Sequence, residues 1–308
     1  MARPGILLAV LLAGSLCIST AGCKGNSANG GTQTLRYAFS PQAEQLQGGM
    51  LRRELLVKYL SSQLHMPVQV VMVEGYGPTI EAMRVNKVDV ATFGSLSYLI
   101  AAQKANAEAI VSTGNADGSL GGYLSVIAVP KGSPYHSLQD LKAHSKDITF
   151  SFADPASTSG NLYPRVGLLR AGIDPEKDFK KVLFTSHLAS LMAVKAGKVD
   201  AGGFMEGILT RLERDGRIKP DDVRVIWRSD PIPNSPIAVR KSLPEDLKKR
   251  LQQTLLEMPQ KDPALWKNIS STYRISIAGL KYIPVNDHTY DGLRSYTAQV
   301  KDFNFVEK

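Results

Sequence analysis

From residue 35 to 227, short apolar runs alternate with stretches whose hydrophobic residues recur at helical spacing. Residues 35–39, 68–73, 88–93, 123–129, 148–152, 182–184, 199–201 and 223–227 are short and rich in β-branched or aromatic residues, the pattern of strands. Between them, 53–64, 79–85 and 190–196 carry the three-and-four spacing of an amphipathic helix. Such alternation predicts mostly parallel sheets with helices on their faces. A second series begins after Val129-Pro-Lys-Gly-Ser-Pro134 and ends at Asp230-Pro-Ile-Pro-Asn-Ser-Pro236, whose prolines argue against a helix or a central strand. Beyond it the pattern predicts only helices, at 244–257, 263–273 and 289–303, and a tail. The expected architecture is α/β: two αβ lobes joined by two crossing segments, near 122–130 and 227–239, with a ligand cleft between them. Residues 35–124 plus 232–308 are assigned to one lobe and 125–231 to the other.

One pattern occurs twice. Ala82-Met-Arg-Val-Asn-Lys-Val-Asp-Val-Ala-Thr-Phe93 aligns without a gap on Ala193-Val-Lys-Ala-Gly-Lys-Val-Asp-Ala-Gly-Gly-Phe204. Both read as a helix end, a left-handed residue at Asn86 or Gly197, and a short buried strand. The loops that follow hold Ser95 and Glu206 at corresponding places, so both are expected to face the cleft.

Composition narrows the class. With 308 residues, 43% hydrophobic and 21% charged, the chain is near the globular average, which excludes a disordered or collagen-like chain. Past residue 22 no apolar run approaches the roughly 20 residues of a membrane-spanning helix. Residues 1–22 have Arg3, an apolar stretch from Gly5 to Ile18 and a small-residue exit, which is the build of an export signal. Thr20-Ala-Gly-Cys23 resembles a bacterial lipobox, with Thr20 where leucine is usual. Cys17 and Cys23 are the two cysteines, so a chain cut before Cys23 keeps one thiol, at its first residue. Lipidation of Cys23 explains that thiol, the alternative being ordinary cleavage nearby. Residues 24–34 have the Gly/Ser/Asn composition of a flexible tether. The formal charge is +9, and loss of Arg3 leaves a basic body. Its cations are scattered, without the aromatic interleaving of single-strand binders, so a small anion is expected rather than nucleic acid.

The candidate chemistry centres on Ser157-Thr-Ser-Gly160. It follows the strand 148–152 and Asp154-Pro155 and precedes a helical pattern at Leu162 and 166–169. Hydroxyls, first-turn amides and the helix dipole at such a place form an anion cradle, although Ser and Thr also cap ordinary helices. His187 follows the strand 182–184, at the carboxyl end of a strand, where open parallel sheets bind ligands. His65, His136, His144 and His288 read as ordinary surface or core groups. None of the five histidines has zinc-site spacing, so neither a metal nor another cofactor is expected.

Several segments in order carry a family resemblance: Tyr76-Gly-Pro-Thr-Ile-Glu81, Gly94-Ser-Leu-Ser-Tyr98, Gly121-Gly-Tyr-Leu-Ser125, Asp154-Pro-Ala-Ser-Thr-Ser-Gly-Asn-Leu-Tyr-Pro164, His187-Leu-Ala-Ser190 and Val199-Asp-Ala-Gly202. From about 36 to 240 the chain resembles the phosphonate-binding solute-binding components of ABC importers, with their two-lobed type II fold. The resemblance implies ligand contacts from Ser157, Thr158, Ser159 and His187, and from the phenols of Tyr76 and Tyr123, with Tyr98 and Ser95 in matching loops. Relatives place an acid just after the Val-Asp-Ala-Gly strand; here the nearest is Glu206, one beyond Met205, which leaves open which ligand substituent is read. The implied role is capture of a small tetrahedral phosphorus oxyanion, a phosphonate, phosphite or phosphate, by hinge closure. The implied partners are an ABC permease and, through lipid, a membrane. A monomeric, exported lipoprotein of the periplasm or cell envelope is expected. An oxyanion sensor for a membrane kinase would share fold and site. A hydrolase with Ser157 or Ser159 as nucleophile and His187 as base would also need an orienting third group, and the sequence has neither a Gly-x-Ser-x-Gly elbow nor a second histidine in the matching segments.

Overall fold

The computed structural model describes residues 34–39, 49–270 and 279–300. The export signal, Cys23, the tether up to residue 33 and the predicted helix ends beyond 270 and 300 lie outside them. The strands are β1 (Leu35–Ala38), β2 (Val68–Val71), β3 (Val90–Thr92), β4 (Ala107–Gly114), β5 (Gly122–Tyr123), β6 (Ser125–Pro130), β7 (Thr149–Phe152), β8 (Lys181–Phe184), β9 (Ala201–Met205), β10 (Val223–Arg228), β11 (Ile232–Pro233), β12 (Pro236–Arg240) and β13 (Lys281–Pro284). Among the described residues they form a six-stranded sheet, β13-β4-β12-β3-β1-β2, and a five-stranded sheet, β10-β6-β9-β7-β8. Between these sheets β5 pairs antiparallel with β11, Tyr123 opposite Ile232. This ribbon is where the chain crosses from one lobe to the other and back.

The crossings change the expected topology. In each sheet the sequential βαβ strands are parallel, β1 with β2 and β3, and β7 with β8 and β9. The returning strand enters reversed: β12 is antiparallel to both β3 and β4, and β6 to both β9 and β10. The sheets are therefore mixed rather than mostly parallel. The proline-rich segment, read from sequence as a break, supplies β12, a central strand. Pro236 is tolerated because it is the strand's first residue, and its carbonyl accepts from the Phe93 amide at 3.1 Å. Only helices were expected after it, yet β13 closes the sheet edge against β4. The strand expected at 199–201 instead begins at Ala201 and runs to Met205 through Gly202 and Gly203. A Cβ on Gly202 would lie 2.7 Å from the Ser190 hydroxyl, and one on Gly203 2.8 Å from the Pro164 ring, so these glycines let helices pack onto the strand.

The twice-used pattern is a structural repeat. Asn86 (φ 56°) and Gly197 (φ 63°) are both left-handed and end their helices. Each aspartate then receives the backbone N–H of the neighbouring strand: Asp89 from Arg36 at 2.9 Å, Asp200 from Thr149 at 2.7 Å. Each lobe buries apolar residues in two clusters, for example Tyr37 and Leu251 as distinct from Ile80 and Phe93 in the first lobe and Phe150 as distinct from Phe204 and Leu212 in the second. A further cluster of Leu96, Leu162, Tyr163, Val166, Ile232 and Leu293 spans the two. Beside it Tyr163 stacks on Tyr296 with 4.3 Å between centroids, and the Tyr296 hydroxyl donates to Asp230 at 2.5 Å.

Asp89 anchors the first lobe's centre. Its carboxylate, 3% exposed, accepts from Arg36 Nε at 2.8 Å and Arg240 Nε at 2.7 Å, tying β1 to β12. Burial alone would raise its pKa, but the hydrogen bonds from Arg36 and Arg240 outweigh it and hold it below the ordinary value of 3.8. A depressed carboxylate contributes stability above its unfolded pKa and loses it as pH falls through the folded one. Asp89→Ala is expected to cost about 3 kcal/mol, the lower end for breaking a buried pair. Urea melts at pH 7 and pH 3 should show the gap from wild type narrowing in acid.

Candidate functional site

Four helix N-termini face the cleft between the lobes. From the first lobe come Tyr76–Arg84 and Ser95–Ala105, after β2 and β3; from the second come Thr158–Leu162 with Tyr163–Arg170, after β7, and His187–Lys195, after β8. The opening amides of a helix have no partner inside it and its dipole is positive there. The first-lobe helices begin at Gly75 and Gly94, neither of which has a capping side chain. Their caps come from the opposite lobe. Asp154 Oδ2 accepts from the Tyr76 amide at 3.3 Å, and Thr158 Oγ1 accepts from the Leu96 amide at 2.8 Å.

The second-lobe loop is shaped for this. Asp154 closes its own turn by accepting from the Ala156 amide at 2.8 Å through Oδ1, which leaves Oδ2 for Tyr76. Burial raises its pKa above 3.8, partly offset by these two amides. Ser157 caps the next helix by accepting from the Gly160 amide at 3.0 Å. Thr158–Leu162 is wound as a single π-helical turn, Leu162 N bonding Ser157 O at 3.1 Å. Gly160 is obligatory: a Cβ there would lie 2.2 Å from that of Ala153 and 2.8 Å from the His187 ring.

His187 is buried and held in one tautomer. Its Nδ1 accepts the Met205 amide at 2.9 Å, so Nε2 carries the hydrogen and donates to Ser157 Oγ at 3.1 Å. Ser157 Oγ thus accepts twice and keeps its own O–H to donate. Burial lowers the His187 pKa from 6.5 to about 4, so the ring is neutral at pH 7. A serine nucleophile needs the facing nitrogen to accept its proton. The arrangement here is the reverse.

Ser159, fully buried, is the one side chain among the described residues whose buried polar atom has no hydrogen-bond partner in the protein. The Tyr123 phenol stands among the hydroxyls of Ser159, Thr158, Ser235 and Ser95; burial raises its pKa, with these hydroxyls pulling the other way, so it stays a neutral donor. A Cβ on Gly94 would lie 3.2 Å from the Tyr76 hydroxyl and 3.4 Å from that of Thr158, so these too converge. Tyr76, Ser95, Tyr123, Ser157, Thr158, Ser159 and His187 are therefore brought together. Within the group Ser95 spends its proton on the Pro233 carbonyl at 2.7 Å, pinning its helix to the crossing ribbon rather than offering a donor.

Tyr98 is not brought there. It lies a turn further along its helix, on the core side, where its hydroxyl donates to Asp287 at 3.0 Å and accepts from the Ala109 amide at 3.4 Å. Glu206 starts the helix Glu206–Arg214 beside the cleft, but its carboxylate is paired with Arg228 at 2.8 Å. Sequence reasoning missed Ser235, hidden in the proline-rich segment, and the capping role of Asp154, whose only signal was its place before Pro155. A wider hollow of about 1000 Å³ behind the helix Ser95–Ala105, lined by Gln103, Asn106 and Arg294, contains none of the converging hydroxyls.

His187 has a testable signature. Because its folded pKa is depressed, the unfolded chain binds the extra proton between pH 6.5 and about 4, so folding stability falls as pH is lowered through that window. His187→Gln, which can still donate to Ser157, is expected to lose this component. The difference between wild-type and variant stability, from denaturant melts at pH 4 to 7, should shrink towards acid.

The family model described as the ABC transporter phosphonate periplasmic substrate-binding protein matches residues 42–290. The phosphonates-binding periplasmic protein of Escherichia coli is 33% identical over 229 residues, 73% of this chain and 67% of that one. A phosphate-import protein of Mycolicibacterium smegmatis is 26% identical over 92% of this chain and 91% of its own. Among solved structures, a binding component of an ABC phosphonate transporter from Pseudomonas aeruginosa superposes with a TM-score of 0.76 at 27% identity, over 88% of this chain and 90% of the other. A Prochlorococcus marinus protein in complex with methylphosphonate has the same fold, with a TM-score of 0.72 at 22% identity over 87% of this chain and 98% of its own. With four helix ends and a ring of neutral donors turned into the cleft of this fold, the chain belongs to the phosphonate-binding family of periplasmic substrate-binding proteins of ABC transporters.

Proposed function

We propose that this chain captures a small tetrahedral phosphorus oxyanion between its lobes and delivers it to an ABC permease. The observation that carries the reading is the Ser159 hydroxyl, buried without a partner beside the Tyr123 phenol and the spare O–H of Ser157. An unsatisfied buried hydroxyl costs about 1–3 kcal/mol unless something accepts from it, and an oxyanion is such an acceptor. Amides at the helix start and the hydroxyls, Ser157 among them oriented by the neutral His187, supply donors and dipoles. The relatives named for phosphonate and for phosphate support this ligand class. Hinge closure follows from the ribbon β5–β11: opening it would strip Tyr76 and Leu96 of their caps, so ligand and trans-capping favour the closed form together. Tyr76, Tyr123, Ser157, Thr158 and Ser159 are the proposed contacts, with His187 orienting Ser157. An export signal, Cys23 as lipid anchor and a monomeric body complete the reading.

Ser159→Ala is expected to weaken oxyanion binding by about tenfold or more while leaving thermal stability unchanged, since it removes a donor that nothing in the protein uses. Ser157→Ala should lose about 2 kcal/mol of stability as well, by stranding the Gly160 amide and His187. Calorimetry with methylphosphonate, aminoethylphosphonate, phosphite, phosphate, sulfate and nitrate checks both; unchanged affinity in Ser159→Ala refutes the site. Small-angle scattering should show compaction on adding the tightest of these ligands, and identical profiles refute closure.

A further inference from the structure

A cavity of about 610 Å³ adjoins the proposed oxyanion site and shares Tyr123 and Ser235 with it. Met205, whose amide orients His187, is also in its wall. That volume lies within the roughly 300–1,000 Å³ of pockets for drug-sized ligands, far beyond the needs of phosphite or a one-carbon phosphonate. Its first-lobe wall includes Tyr37, Phe39, Leu56, Ile237, Trp266 and Tyr282. Two of these rings turn their polar tips to the protein: Tyr37 Oη and Thr92 Oγ1 are 2.9 Å apart, and Trp266 Nε1 donates to the Leu280 carbonyl at 3.1 Å. Ring faces and aliphatic groups make up most of what is left to meet a guest, with Arg52 and Arg53 also in the wall. Glu206, the acid among the described residues of this wall, is already balanced by Arg228 at 2.8 Å, so it is not a free counter-ion for an ammonium group.

We propose that this cavity houses the substituent of the ligand, so that the protein takes organophosphonates or phosphate monoesters bearing an apolar group of ring size or larger. The proposal rests on the oxyanion reading above and deepens it. The head group supplies charge for the helix ends; the substituent supplies apolar area, which aromatic walls reward more than they reward a methyl group.

The test is calorimetry on the full chain with methylphosphonate, aminoethylphosphonate and benzylphosphonate. Benzylphosphonate is expected to bind about tenfold tighter than methylphosphonate or better, and aminoethylphosphonate no tighter than methylphosphonate. Thr210 and Ile269 line opposite walls away from the head-group hydroxyls. Thr210→Trp and, separately, Ile269→Trp should cut benzylphosphonate affinity about tenfold while methylphosphonate affinity stays within about twofold, which also reports that the fold is intact. Equal or weaker binding of benzylphosphonate overturns the substituent claim alone, as does loss of methylphosphonate binding in both variants. Binding of none of the three to the wild type overturns the oxyanion reading and this proposal with it.

Discussion

The closed arrangement depends on helix ends that do not cap themselves. Two first-lobe helices start at glycines, and the amides of Tyr76 and Leu96 are satisfied by Asp154 and Thr158 from the other side of the cleft. Two second-lobe helices start on the facing wall. The partial positive charges of four helix starts therefore meet in one narrow space, and the contacts that close the lobes are made of the same groups that surround an anion. In the proposed reading, opening the cleft would expose the first-lobe caps to water, so closure and anion binding would be coupled through shared atoms rather than through a distant relay.

The electrostatics of that space are those of dipoles, not of ions. His187 is neutral because burial depresses its pKa to about 4, and its tautomer is set by the Met205 amide on Nδ1. It thereby presents a donor to Ser157 at pH 7 without adding a buried charge and its desolvation cost. The same tautomer denies Ser157 a base. One backbone N–H thus turns a serine–histidine pair, which in another orientation could activate a nucleophile, into a fixed pair of donors. Asp154 is the carboxylate in this group, and its acceptor atoms face two amides, Ala156 and Tyr76.

The repeat explains why the cleft is built from matching corners. In both lobes a left-handed residue ends a helix, an aspartate binds the neighbouring strand's amide, and the strand that follows delivers a helix start to the cleft. The two corners then diverge. Ser95 ties its helix to the Pro233 carbonyl of the crossing ribbon, whereas Glu206 pairs with Arg228 at the mouth of the apolar cavity. One side is tied to the crossing ribbon and the other borders the cavity beside Tyr123.

Local pattern was enough for the α/β class, for the paired helix–turn–strand units and for the hydroxyl-rich helix start at 157–160, because each rests on short-range rules: apolar period, left-handed caps, hydroxyls at a helix start. It failed at β12 and β13, where a strand's right to exist came from its neighbours: Pro236 survives as the first residue of a central strand, and Lys281–Pro284 is held by β4. The commitment of Tyr98 to Asp287 and Ala109, the pairing of Glu206 with Arg228, the trans-capping by Asp154 and Thr158, and the tautomer of His187 were likewise decided only by the tertiary structure. The physical reason is common to all of them. A sequence specifies which groups can donate or accept and roughly where on an element they stand, but which partner each one meets depends on segments up to 189 residues apart being brought within 3 Å.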